Sequence, residues 1–193
     1  MQEFGKRIGW ARGGLIVSAV LLVILGALCF IAPEMMPEAM HTTGLAGTYT
    51  TGGILIAVVF GIAGICQLAA FNMAGGSKNL GGWLVLPGIM SLICCIAAII
   101  DPFVGTFTYE WVPAVFIAFL GIMMFLGAVV SGRPAHYKGW VIETLLGLVM
   151  IVLAVAVIYN SANTHFIMGI SFIVFAVNVL LVPFMGKDME LAA

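Results

Sequence analysis

GWVIETLLGLVMIVLAVAVIYN, Gly139 to Asn160, opens with a Gly-Trp pair and then runs apolar, broken by one acid, Glu143. A helix across the hydrocarbon core of a bilayer needs about 20 mostly apolar residues, and this stretch supplies them. Backbone groups in hydrocarbon must be satisfied within their own segment. A membrane barrel would show alternating segments of about 10 residues, which are absent here. The stretch therefore reads as a transmembrane helix, Trp140–Tyr159.

Five similar runs surround it: Gly13–Ile31, Gly52–Phe71, Gly82–Ile100, Val112–Val130 and Phe166–Phe184. The chain of 193 residues is 63% hydrophobic and 8% charged, with mean hydropathy +1.23. A soluble domain carries roughly a quarter charged residues, so this composition cannot clothe a core in polar side chains. The expected fold is an all-α integral membrane protein, one transmembrane domain over residues 1–193. Its partner is the lipid bilayer. The spans leave no length for an extramembrane enzyme, a nucleotide-binding domain or a nucleic-acid surface. The first run has a basic start, but Pro33 and acidic residues follow it, and it reads as a retained span rather than a cleaved leader.

The seven Lys and Arg residues are Lys6, Arg7, Arg12, Lys78, Arg133, Lys138 and Lys187. They fall at the chain ends or in alternate gaps between runs, and the other three gaps hold none. Short loops that keep Lys and Arg stay cytoplasmic. Both termini are thus expected inside, at a bacterial cytoplasmic membrane.

Three Gly-Trp pairs, Gly9-Trp10, Gly82-Trp83 and Gly139-Trp140, each open an apolar helix. Two of these helices close with Ile-x-Pro, at Pro33 and Pro102. The third has Asn160 there. A second helix follows each: Gly61-Ile62, Gly121-Ile122 and, more weakly, Ser171-Phe172 mark equivalent places. The unit is a helical hairpin used three times, over residues 9–72, 78–131 and 138–185. Two helices per unit return the chain to the same side, so the three hairpins stand parallel. Trp suits the headgroup level. Glycines such as Gly53, Gly61, Gly64, Gly121 and Gly127 let helices approach within or between hairpins. An interface between copies of the chain, giving a homo-oligomer, is a second use of the same residues.

Gly82-Trp83, Gly88, Pro102 and Gly121-Ile122, with the parallel repeat and the length, resemble the HdeD family of bacterial membrane proteins. That resemblance implies six spans built from a short repeated membrane domain of unknown function. It also implies a non-enzymatic role in acid resistance. It supplies no catalytic residue, cofactor or metal. The lost proline at Asn160 departs from the pattern.

Several residues are candidates for chemistry. Glu143 is the one acid inside an expected span, and an ionisable residue there is a functional hypothesis by default. It lies about one turn into its helix and is expected to reach the headgroups or to pair with Arg12, in the equivalent place of the first repeat. Gln67 and Asn178 fall at similar places in the second and sixth helices, as packing amides or a binding pair. The face opposite the basic one holds Glu34, Glu38, Asp101, Glu110, His41 and His165. Its formal charge would swing from about −4 at neutral pH to about +2 below roughly pH 4. The positive-inside rule alone also leaves such loops acidic. Met35, Met36, Met40 and His41 form a soft-metal pattern, although an interfacial segment explains methionines equally well. Cys29, Cys66, Cys94 and Cys95 lack metal or redox spacing and read as packing residues. A transporter or channel between the hairpins is the competing function. Few polar residues are available to line it.

Overall fold

The computed structural model describes residues 2–3, 9–36, 51–73, 82–104, 111–134, 136–160, 163–185 and 190–191. Six helices in it are long and apolar enough to cross a membrane. They are α1 (Gly9–Ile31), α2 (Thr51–Met73), α3 (Gly82–Val104), α4 (Trp111–Leu126), α5 (Trp140–Tyr159) and α6 (Thr164–Met185). A π-helical turn, Gly127–Gly132, continues α4, and a 3-10 turn, Pro33–Met35, follows α1. Two short strands, β1 (Gln2–Glu3) and β2 (Glu190–Leu191), pair antiparallel and bring the chain ends together. We call their side of the bundle the chain-end face.

The expected spans agree closely with these helices. Two differ instructively. Helix α1 starts at Gly9, so Trp10 and Arg12 are helical. Helix α3 runs on through Asp101 and Pro102 to Val104, so the two Ile-x-Pro sequences close differently. Pro33 stands outside α1 at the start of its own 3-10 turn. At Pro102 the missing N–H costs a single bond in the last turn, which a helix end tolerates.

The exterior is apolar. Val152 is 67% exposed and Ile158 66% exposed, which suits a lipid surround and not water. The interior is a continuous cluster that includes Leu15, Phe60, Leu84, Met124, Met150 and Phe175. On α5 the buried residues are Glu143, Gly147, Met150, Ala154 and Val157. Their spacing of three and four makes one stripe, and the rest of the helix faces outward.

The broadest helix contacts join α2 to α3, α4 to α5, and α6 to α1. The first two cross the boundaries between the hairpins expected from the sequence, and the third closes the bundle into a ring. Each seam passes over a pair of glycines. A Cβ on Gly64 would lie 2.9 Å from the Gly88 carbonyl oxygen, one on Gly121 2.8 Å from that of Gly147, and one on Gly26 2.8 Å from that of Gly169. Such approaches leave room for backbone only. The four cysteines are free, and Cys66 Sγ packs on Gly14.

Candidate functional site

Phe60, Phe172 and Phe175 occupy the centre of the ring. Phe60 stacks on Phe175 with centroids 5.5 Å apart and meets Phe172 edge-on at 5.9 Å. Such pairs contribute about 0.5–1.5 kcal/mol each beyond their buried area. Around them lies a cavity of about 40 Å³, the volume of about three or four waters at roughly 10–15 Å³ each. Its walls include Ile56, Cys94, Leu120, Met150 and Ser171. The Ser171 hydroxyl donates to the Ile167 carbonyl at 2.9 Å, so the lining presents no free polar group there.

Toward the chain-end face the same helix faces turn polar. Gln67 lies seven residues beyond Phe60, Asn178 seven beyond Ser171, Glu143 seven before Met150 and Ser91 three before Cys94. Residues three, four and seven apart share a helix face, so all four continue the stripes that wall the cavity. Seven residues of helix rise about 10 Å and three about 4.5 Å, so the four lie on the chain-end side of the cavity at different heights. All four are buried. Ser91 Oγ donates to the Pro87 carbonyl at 2.8 Å and reaches Gln67 Oε1 at 3.5 Å. Gln67 Nε2, Glu143 Oε2 and Asn178 Oδ1 have no hydrogen-bond partner. Buried polar atoms without partners are rare enough that each calls for a physical reason.

Glu143 is only 2% exposed, so it does not reach outward to the headgroups as expected. It does not pair with Arg12 either. That expectation assumed that equivalent places in two repeats are neighbours in space, and α1 and α5 are not among the broad helix contacts.

The turn between α4 and α5 is shaped around Tyr137. The Arg133 N–H bonds to the Ala128 carbonyl, a five-residue step that ends the π-turn, and the Tyr137 N–H bonds to the Gly132 carbonyl at 3.0 Å. His136 takes φ 53° between them, a region that side chains rarely occupy. The result tucks Tyr137 inward, fully buried. Its phenol lies over Gly139, where any Cβ would collide with the ring. The glycine of this Gly-Trp pair thus makes room for a tyrosine rather than a helix. Arg133 sits 5.6 Å over the Trp140 ring. Sequence reasoning missed Tyr137 and the π-turn. The signal for the turn was Gly127 and Gly132, five residues apart.

Burial, and then the nearby Glu143, push the Tyr137 phenol above its ordinary value of 10. The folded chain holds this proton more tightly than the unfolded chain does. Its contribution is therefore present below about pH 10 and lost as the pH rises beyond that. Tyr137→Phe is expected to flatten the fall in thermal midpoint between pH 9 and 11. An unchanged slope would assign the alkaline loss to other groups.

Glu34 is exposed on the 3-10 turn, while Asp101 at the end of α3 and His165 at the start of α6 are half-buried. The order of the spans puts all three opposite the chain ends. Glu38, His41 and Glu110, and Met40 of the soft-metal pattern, lie outside the described residues.

Six apolar helices around a largely apolar centre define a multi-pass membrane protein. Residues 86–159 match the model of a short repeat of unknown function (DUF308), the family to which HdeD belongs. The match takes in most of α3, all of α4 and its π-turn, Tyr137 and α5 with Glu143. No curated protein and no solved structure matches the chain.

Proposed function

We propose that this chain is a non-enzymatic, HdeD-like protein of the bacterial cytoplasmic membrane that supports survival in acid. The observation that carries the reading is the repeat match over residues 86–159. In this proposal the chain consists of three parallel hairpin repeats. The chain-end face is cytoplasmic because Lys and Arg collect there. The opposite face, with Glu34, Glu38, Asp101, Glu110, His41 and His165, is the acid-responsive one.

The test is deletion of the gene, followed by survival and cytoplasmic pH after an external acid shift. Reduced survival, restored by the wild-type chain, is the expected result; unchanged survival would overturn the proposal. The chain with Glu34→Gln, Glu38→Gln, Asp101→Asn and Glu110→Gln together is expected to restore survival poorly. Full restoration would remove the acidic face from the account.

A second reading, a small-solute or ion transporter or channel, is favoured by the unpartnered polar atoms beneath the aromatic cluster. In that reading the structure is a closed state, with Phe60, Phe172 and Phe175 as the barrier.

A further inference from the structure

The turn between α4 and α5 holds charge in a fixed arrangement. The order of the spans puts this turn on the chain-end face. It exposes Arg133, His136 and Lys138, while Tyr137 between the last two is buried. The N–H groups of Arg133, His136, Tyr137 and Trp140 donate to the carbonyls of Ala128, Arg133, Gly132 and Tyr137, at distances of 2.8, 3.1, 3.0 and 3.1 Å. The buried Tyr137 ring anchors the middle of the turn. The backbone that carries the charges is therefore already ordered, and a ligand that meets them need not order a loop.

The tendency of Lys and Arg to collect on one side of a membrane accounts for these charges but not for their geometry. Arg133 lies over the Trp140 ring, 5.6 Å from its centroid. A guanidinium held over an aromatic face keeps N–H donors for a second partner, and their fork matches two oxygens of one phosphate. Trp140 is half-buried and opens α5, and Trp suits the headgroup level. The guanidinium over it thus stands at the depth of the lipid phosphates. Lys138 adds a point charge, and His136 offers an N–H in either charge state.

No acid of the turn answers this set. Among the described side chains, none of the three forms an ion pair. The stretch 132–140 contains no Asp or Glu, and the acid nearest to it in sequence, Glu143, is buried. The membrane carries the matching group. A zwitterionic headgroup brings its own ammonium along with its phosphate. An anionic headgroup does not, and each Lys or Arg near the surface favours it about fivefold.

We propose that Arg133, His136 and Lys138, beside the Trp140 indole, bind the phosphate of an anionic phospholipid in the leaflet at the chain-end face. The site stands independently of any role in acid survival.

The test is native mass spectrometry of the purified full-length chain, carried in detergent micelles and titrated with phosphatidylglycerol or phosphatidylcholine. The wild-type chain is expected to bind phosphatidylglycerol about tenfold more tightly. Lys138→Gln is expected to weaken phosphatidylglycerol binding about fivefold. Arg133→Lys keeps the charge but gives up the fork, and is expected to weaken it by about the same factor. Both side chains are exposed, so neither change disturbs the core. Arg12→Gln, on the same face but on α1, is expected to change little. Equal affinities for the two lipids would overturn the proposal. So would an Arg133→Lys chain that matches the wild type, or an Arg12→Gln chain that loses as much as Lys138→Gln. Either result would make the attraction a diffuse property of the whole face. Displacement of bound phosphatidylglycerol by millimolar inorganic phosphate would name a soluble anion as the occupant and overturn the lipid assignment.

Discussion

Gly147→Val is expected to leave little folded protein, and Gly147→Ala to cost about 1–3 kcal/mol, the usual range for overpacking. A Cβ at Gly147 would lie 2.8 Å from the Gly121 carbonyl oxygen, 2.8 Å from the Phe125 nitrogen and 3.1 Å from the Phe125 Cα. All three are backbone atoms, which cannot rotate aside. Relief requires separating α4 from α5 along one of the broad seams, which would loosen the setting of Glu143 and Tyr137 as well. The control is Gly13→Ala, since a Cβ at Gly13 meets nothing within 4 Å. There the gain in helix propensity, up to about 1 kcal/mol, makes the change neutral or mildly stabilising. Reversible unfolding in mixed micelles would measure both. Equal stabilities for Gly147→Ala and Gly13→Ala would show that the seam yields at no cost. Because Gly121 meets Gly147 across the same seam, the double alanine variant should cost less than the two singles combined.

The second large effect has the opposite sign. Glu143→Met, measured at pH 8 in choline, is expected to stabilise the chain by about 1–3 kcal/mol, the cost of an unsatisfied buried polar group. Methionine fills a similar volume in an apolar setting and leaves no acceptor unpaired. A more stable variant would mean that the carboxyl is kept for a task rather than for folding. A lower unfolding midpoint for Glu143→Met would mean that the carboxyl has a stabilising partner.

The spans were legible because a hydrophobic run needs no tertiary information. Trp140–Tyr159 agrees at both ends, since a glycine precedes it and a polar residue follows it. The ends of α3 were harder to read. A proline reads as a stop, yet Pro102 falls in a last turn, where its missing N–H matters least. Glu143, Gln67 and Asn178 stood out as polar residues in apolar runs. Their burial without hydrogen-bond partners did not, because it depends on which helices become neighbours. The same ignorance produced the expected Arg12–Glu143 pair. Glycine count was equally mute: Gly13 and Gly147 look alike in a string, and only the neighbouring backbone separates a free surface position from a crossing point.

The ring closes through Gly26 on α1 and Gly169 on α6, partners that lie 143 residues apart in the chain. That separation gives assembly a timetable. At the usual rate of about 5–20 residues per second, roughly 7–30 s of synthesis pass between the two. During that interval α1 sits in the bilayer with the surface meant for α6 turned to lipid or to whatever attends insertion. Helix α6 is therefore the one that completes α1, and a ribosome stalled before Thr164 would hold a chain whose α1 still lacks that partner.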